Sequence, residues 1–109
     1  MADCIFCKIR DGLVPASLCY EDDRVIAFKD IHPKSPLHLL VVPKQHIPTL
    51  NDLHELDVAL AGHLLLVAAK LAKDAGVADH GYKVGINCNK GGGQEVFHIH
   101  LHLTASKTA

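Results

Sequence analysis

Residues 98–103 read His-Ile-His-Leu-His-Leu, an alternation of imidazole and aliphatic side chains that an extended strand sorts onto two sides. Successive side chains of a strand point to opposite faces, so His98, His100 and His102 share one face. Ile99, Leu101 and Leu103 share the other, where they would pack on a core. The rise of ~3.4 Å per residue spaces neighbouring imidazoles about 7 Å apart. Three histidines so placed suit a metal ion, a chance surface run, or a nucleophile with supporting imidazoles. Imidazole titrates near neutrality, and its neutral form can attack phosphorus to give a covalent intermediate that water resolves.

Directly before this run stands Asn89-Lys90-Gly91-Gly92-Gly93-Gln94. Glycines let the backbone approach an anion and turn its N–H groups inward. A glycine run alone is a flexible turn as readily as a cradle. Its place immediately before the histidines favours the phosphate reading.

The rest of the chain supplies a frame for these segments. Asp3 is expected to cap a short helix through Ile5, Phe6 and Ile9 that stops at Gly12. Leu18 to Glu21 and Val25 to Lys29 read as a hairpin around Glu21-Asp22-Asp23-Arg24. The prolines of Asp30 to Pro36 make that segment a loop. Leu37 to Val42 is an apolar strand ended by Pro43. Asp52 with Glu55 resembles a capping box, and Leu56, Leu60, Leu64, Val67 and Leu71 recur at the spacing of one helix face running to about Gly76. Tyr82 to Cys88 and Val96 to Leu103 are the last two strands. Hairpin-joined strands beside one long helix predict an α+β fold with a mostly antiparallel sheet of about five strands.

At 109 residues, with 49% apolar and 21% charged side chains, the chain is expected to form a single domain over residues 1–109 with a real core. A formal net charge of −1 gives no basic field for a nucleic-acid polymer, although a few donors suffice for one nucleotide. The longest apolar stretch, around Leu64 to Ala69, is too short to span a membrane. The start, MADCIFCKIRDG, has no leader-like run. Cys4, Cys7, Cys19 and Cys88 then read as reduced thiols of a cytoplasmic protein.

Gly92-Gly93-Gln94-Glu95-Val96-Phe97-His98-Ile99-His100-Leu101-His102-Leu103 resembles the signature of the histidine triad (HIT) nucleotide-binding proteins, particularly their Hint branch. Ile5-Phe6-Cys7-Lys8-Ile9, Ala27-Phe28-Lys29-Asp30-Ile31 and Pro36-Leu37-His38-Leu39-Leu40-Val41-Val42-Pro43-Lys44 extend the likeness over nearly the whole chain in family order. The resemblance implies a HIT-like fold and hydrolysis of the P–N bond of purine nucleoside phosphoramidates, such as adenosine 5′-phosphoramidate, through a nucleotidyl-histidine. It implies His100 as the nucleophile, with His102 on the phosphate and His38 reaching the same cluster. Asp30 would take the ribose hydroxyls, Phe6 and Ile31 would enclose the purine, and Asn87, Gly93, Gln94 and Glu95 would line the phosphate and leaving-group side. No cofactor is implied for catalysis. A homodimer is implied, with the Leu56 to Leu71 face partly between subunits.

Some bacterial relatives bind zinc through a C-x-x-C pair and two histidines, which match Cys4, Cys7, His46 and His98; two thiolates and two imidazoles suit a tetrahedral structural ion. Such a site assigns His98 to structure and leaves His100 and His102 for chemistry. The sequence departs from the pattern at Glu95, where several relatives carry serine, and after Leu103, where it reads Thr104-Ala105-Ser106-Lys107-Thr108-Ala109 while relatives usually continue with a glycine pair, an arginine and a tail that reaches the partner's site. Both departures bear on the amine leaving group. Cys19 and Cys88 read as packed thiols, His32, His54 and His80 as solvated, and His63 as packed beside the helix. The rival functions are a nucleotide-binding regulatory dimer without turnover and a dinucleoside polyphosphate hydrolase.

Overall fold

The computed structural model describes residues 4–107. Helix α1 (Ile5–Arg10) is followed by strands β1 (Leu18–Glu21), β2 (Val25–Lys29) and β3 (Leu37–Pro43), helix α2 (Val58–Asp74), and strands β4 (Lys83–Gly85) and β5 (Leu101–Ala105). The five strands form one sheet in the order β1-β2-β3-β5-β4, and every neighbouring pair is antiparallel. The expected α+β architecture is therefore the observed one.

Strand alternation divides the residues between two sides of this sheet. Val25, Ala27, Leu39, Val41, Leu101 and Leu103 form one buried cluster with Leu60, Leu64, Val67, Ala68 and Leu71 of α2. Ile26, Phe28, Leu40 and Val42 cluster instead with Phe6 of α1. Helix α2 is closed by a Schellman arrangement: Gly76 (φ +76°) donates to the Lys73 carbonyl, and Val77 donates to that of Ala72. The glycine is needed there because a side chain resists that left-handed turn, and the residue after it, Val77, is buried against the core.

Four boundaries differ from expectation, each for a local backbone reason. The cap position of α1 is Cys4, whose Sγ accepts from the Cys7 N–H; Asp3 lies outside the described residues. The expected Asp52–Glu55 capping box is replaced by two tight turns. Asp52 accepts from the Thr49 N–H and Asp57 from the His54 N–H, so α2 starts only at Val58 and Leu56 is left 90% exposed. Strand β4 ends at Gly85 rather than Cys88, and the backbone beyond it turns through Asn89 (φ +61°). Strand β5 begins at Leu101 rather than Val96 because the preceding backbone bonds elsewhere: the Ile99 N–H donates to the Ile47 carbonyl at 2.6 Å.

The α2 side of the sheet sets stability. Leu103 is fully buried there, and Leu103→Ala should lower unfolding free energy by about 2–5 kcal/mol through lost burial and a residual cavity. Leu56→Ala should change it by less than about 0.5 kcal/mol. Urea midpoints of the two variants check both values.

Candidate active site

The α1 side of the sheet carries the histidines. Register places His38 of β3 opposite Thr104 of β5, and Leu40 opposite His102, while the Asp30 N–H continues the ladder onto the His38 carbonyl. Two segments 64 residues apart thus bring His38 Nε2 within 3.0 Å of His102 Nδ1. The protons follow from the outer partners. A backbone N–H can only donate, and that of Lys34 lies 3.1 Å from His38 Nδ1, so this nitrogen accepts and His38 Nε2 carries the hydrogen. His38 Nε2–H then donates to His102 Nδ1, with Asp30 Oδ2 3.4 Å from the same nitrogen. That leaves the His102 hydrogen on Nε2.

His100 is oriented by the same logic. Its Nδ1 lies 2.7 Å from the His98 carbonyl, which can only accept, so Nδ1 carries the hydrogen and Nε2 keeps a lone pair. Burial pushes the His100 imidazole below its ordinary value. Burial, followed by the neighbouring His100 and His38, pushes His102 down to about 4. Both rings are therefore neutral at pH 7. They sit tilted against each other with centroids 4.8 Å apart, closer than the regular strand spacing expected from sequence. The ring of Phe6 meets His100 edge-on at 5.0 Å.

These side chains open onto a cleft of about 690 Å³. Of the residues expected to hold a nucleotide, Phe6, Asp30, Ile31, Asn87, Gly93, Glu95, His100 and His102 line it, as does His38. Asp30 Oδ1 accepts from the His32 N–H, and Ile31 is 82% exposed, an apolar surface free to meet a ligand ring. Gln94 is placed otherwise. Its buried side-chain amide donates to the Pro48 and Val96 carbonyls and accepts from the Asn89 N–H, so it straps the glycine loop from behind. The loop closes at Gly93 (φ +84°) with the Asn87 amide against its carbonyl.

A second cluster lies alongside. Cys4 Sγ is 3.3 Å from His98 Nδ1, Cys7 Sγ is 3.4 Å from His46 Nδ1 and 3.6 Å from His98 Nδ1, and the two Nδ1 atoms are 3.2 Å apart. With Zn–S of about 2.3 Å and Zn–N of about 2.0 Å, a tetrahedral zinc site has S···N edges of about 3.5 Å and an N···N edge of about 3.3 Å. The observed separations match those edges. His98 Nε2–H donates to the Pro43 carbonyl at 2.7 Å, which leaves the Nδ1 lone pair facing the sulfurs, and burial pushes this imidazole down to about 4. A cation or a single hydrogen between His46 Nδ1 and His98 Nδ1 satisfies this close approach. The donor set fits a zinc ion.

Residues 12–109 match the family model described as HIT domain. This chain belongs to the HIT domain family. It is 44% identical over 103 residues to the purine nucleoside phosphoramidase of Escherichia coli strain K12, covering 94% of this chain and 87% of that protein. A HIT family hydrolase from Legionella pneumophila Philadelphia 1 superposes with a TM-score of 0.94 at 48% identity, covering 96% of this chain and 94% of that one. A zinc-bound histidine triad family protein from Mycobacterium smegmatis superposes with a TM-score of 0.82 at 36% identity, covering 97% and 76%.

Within this HIT chain, sequence reasoning missed Lys34, Lys83, Gly85 and Thr104, which also line the cleft. Thr104 was findable, since it follows His102 at strand spacing. The Lys34 contribution was not, because it comes from a backbone N–H. The strap role of Gln94 yields a prediction. Gln94→Leu leaves the Asn89 N–H and two carbonyls without their part-buried partner and should cost about 1 kcal/mol, read as a lowered urea midpoint.

Proposed function

We propose that this chain hydrolyses the P–N bond of purine nucleoside phosphoramidates, such as adenosine 5′-phosphoramidate, and releases the nucleoside monophosphate. The observation that carries this reading is the hydrogen bond from His100 Nδ1–H to the His98 carbonyl, which leaves a neutral, lone-pair Nε2 at a cleft of about 690 Å³. The name of the Escherichia coli relative supports the same substrate class.

In this mechanism the lone pair of His100 Nε2 attacks the α-phosphorus. The P–N bond breaks, and the departing amine takes up a proton from solvent, which the water of the second step returns. The nucleotidyl-imidazole that forms carries positive charge, which the His98 carbonyl stabilises at Nδ1–H. Water then attacks phosphorus, the P–His bond breaks, and His100 is regenerated. His102 Nε2–H donates to a phosphate oxygen, in a direction fixed by His38 and the Lys34 N–H. The Gly93 and Asn87 segment faces the same phosphate, and Glu95 stands in the cleft on the leaving-group side. Asp30 retains acceptor capacity for ribose hydroxyls, and the purine lies between Phe6 and the exposed Ile31.

Cys4, Cys7, His46 and His98 hold a structural zinc ion in this reading, and no cofactor enters the reaction. A homodimer in the cytoplasm completes it. Val58, Leu65 and Leu66 are exposed on α2, an apolar strip of the kind a second copy covers. Among the described residues no helix is long and apolar enough to cross a membrane.

AMP release from adenosine 5′-phosphoramidate tests the reading directly. His100→Ala should lose about 10,000-fold or more in kcat while still binding AMP. If the parent chain binds AMP but releases none from the phosphoramidate, the catalytic reading fails and a nucleotide-binding role remains.

The pH profile adds a second check. The folded value for His102, about 4, lies below the ordinary imidazole value of 6.5. Its neutral form therefore contributes stability that is fully present above 6.5 and is lost as pH falls toward 4. Protonation also fills Nδ1, the atom that accepts from His38. We expect kcat/KM to stay level from pH 8 through 6.5 and to fall only on the acid side of it; an acid limb centred at 6.5 would refute the neutral-donor role.

A further inference from the structure

The two constellations on the α1 face share residues. His98 offers its ring Nδ1 to the sulfur–nitrogen cluster, and its backbone carbonyl holds His100 Nδ1–H at 2.7 Å. Cys4 and Cys7 bracket Phe6, whose ring lies edge-on to His98 at 5.8 Å, to His100 at 5.0 Å and to Phe28 at 5.4 Å. The same short helix contributes Ile5, Phe6 and Ile9 to the cleft wall.

Helix α1 has six residues, of which only Phe6 and Cys7 are buried. A helix this short has no stability of its own in water and depends on what it is docked to. Its N-terminal cap is the Cys4 sulfur. In the buried direction it is held by Phe6, packed with Ile26, Phe28, Leu40 and Val42, and by the polar contact of Cys7 with His46 and His98, while Arg10 donates to the Lys44 carbonyl. The β3 end enters through Pro43, whose carbonyl receives His98 Nε2–H. The base wall, the nucleophile's hydrogen-bond acceptor and the four metal-type donors therefore form one connected unit.

We propose that the Cys4–Cys7–His46–His98 centre is a positioning device for the active site. Occupancy by zinc fixes α1, and with it Phe6, and also fixes the carbonyl of His98 that sets the orientation of His100. When the four donors are not drawn together, α1 and the His98 backbone loosen, while the sheet and α2, packed on the opposite side, stay folded. His98, Cys4 and Cys7 act here as positioning residues through Phe6 and His100. The consequence for nucleotide rests on the cleft reading given above, whereas the effect on the two rings does not.

The experiment uses the purified full chain in three forms: loaded with zinc, stripped with a chelator, and reloaded. Metal content, the NMR signals of the Phe6 and His100 rings, the methyl signals of Leu101 and Leu103, and AMP affinity by calorimetry are measured on each. We expect one zinc per chain in the loaded and reloaded forms. Stripping should shift or broaden the Phe6 and His100 ring signals, leave the Leu101 and Leu103 methyls in place, and weaken AMP binding about ten-fold, with recovery on reloading. Cys7→Ser should reproduce the stripped pattern. Failure to take up zinc, ring signals indifferent to stripping, or collapse of the Leu101 and Leu103 signals together with the rings would each overturn the proposal. The last outcome would make the ion a support of the whole fold. Should the loaded chain bind no AMP, the nucleotide reading fails, and the ring signals still decide the coupling.

Discussion

A fully buried imidazole has two ring nitrogens and its own backbone to satisfy, and the way His98 satisfies them governs the functional face of this protein. Its Nε2–H is given to the end of β3 through the Pro43 carbonyl. Its Nδ1 lone pair is turned toward Cys4, Cys7 and His46. Its carbonyl, released from sheet pairing, accepts the hydrogen of His100. If residues 96–100 had continued β5 as a regular strand, that carbonyl would belong to a ladder and His100 would have no fixed tautomer. The irregular backbone before Leu101 is thus the condition for a fixed orientation of the His100 ring, and the Ile99–Ile47 bond holds it in place.

Topology supplies the second requirement. Placing β5 between β3 and β4 sets His38 and His102 side by side from distant parts of the chain. Because the α2 side carries the large aliphatic core, the α1 side is free to carry polar rings and an open cleft. The work of holding the fold together and the work of meeting a ligand fall on opposite faces of one sheet.

How much of this the sequence disclosed follows from how local each feature is. Alternation at Leu101, His102 and Leu103 reported the two faces correctly, and the hairpin of β1 and β2 was readable because turn and strand lie within twelve residues. The start of α2 was misplaced because Asp52 and Asp57 each cap a separate tight turn, and composition alone does not say which acidic residue closes which turn. The strand limit at Val96 was overestimated because the Ile99 N–H is given to the Ile47 carbonyl, and that at Cys88 because the chain turns away through Asn89 (φ +61°). Cys4 and Cys7 announced a pair by spacing, but His46 and His98 joined them only by family likeness. Gln94 looked like a ligand contact, since nothing in the sequence shows that Pro48, Val96 and Asn89 surround its amide.

Two clusters on the α1 face have donor sets a metal could use: Cys4, Cys7, His46 and His98, and Asp30, His38 and His102. Counting protons separates them. In the first, His98 sends its hydrogen outward to Pro43, and the lone pair that remains points inward with two sulfurs, so the donors converge as a metal ion requires. In the second, the Lys34 N–H occupies His38 Nδ1, which forces the hydrogen of His38 onto Nε2, the atom that faces Asp30 and His102. A metal at Nε2 would have to expel that hydrogen to Nδ1, where it would confront the Lys34 N–H. The second cluster is therefore a directed hydrogen-bond chain rather than a cation site. One backbone amide, invisible in composition, is enough to divide similar side chains between a metal-type centre and a proton-ordered active site.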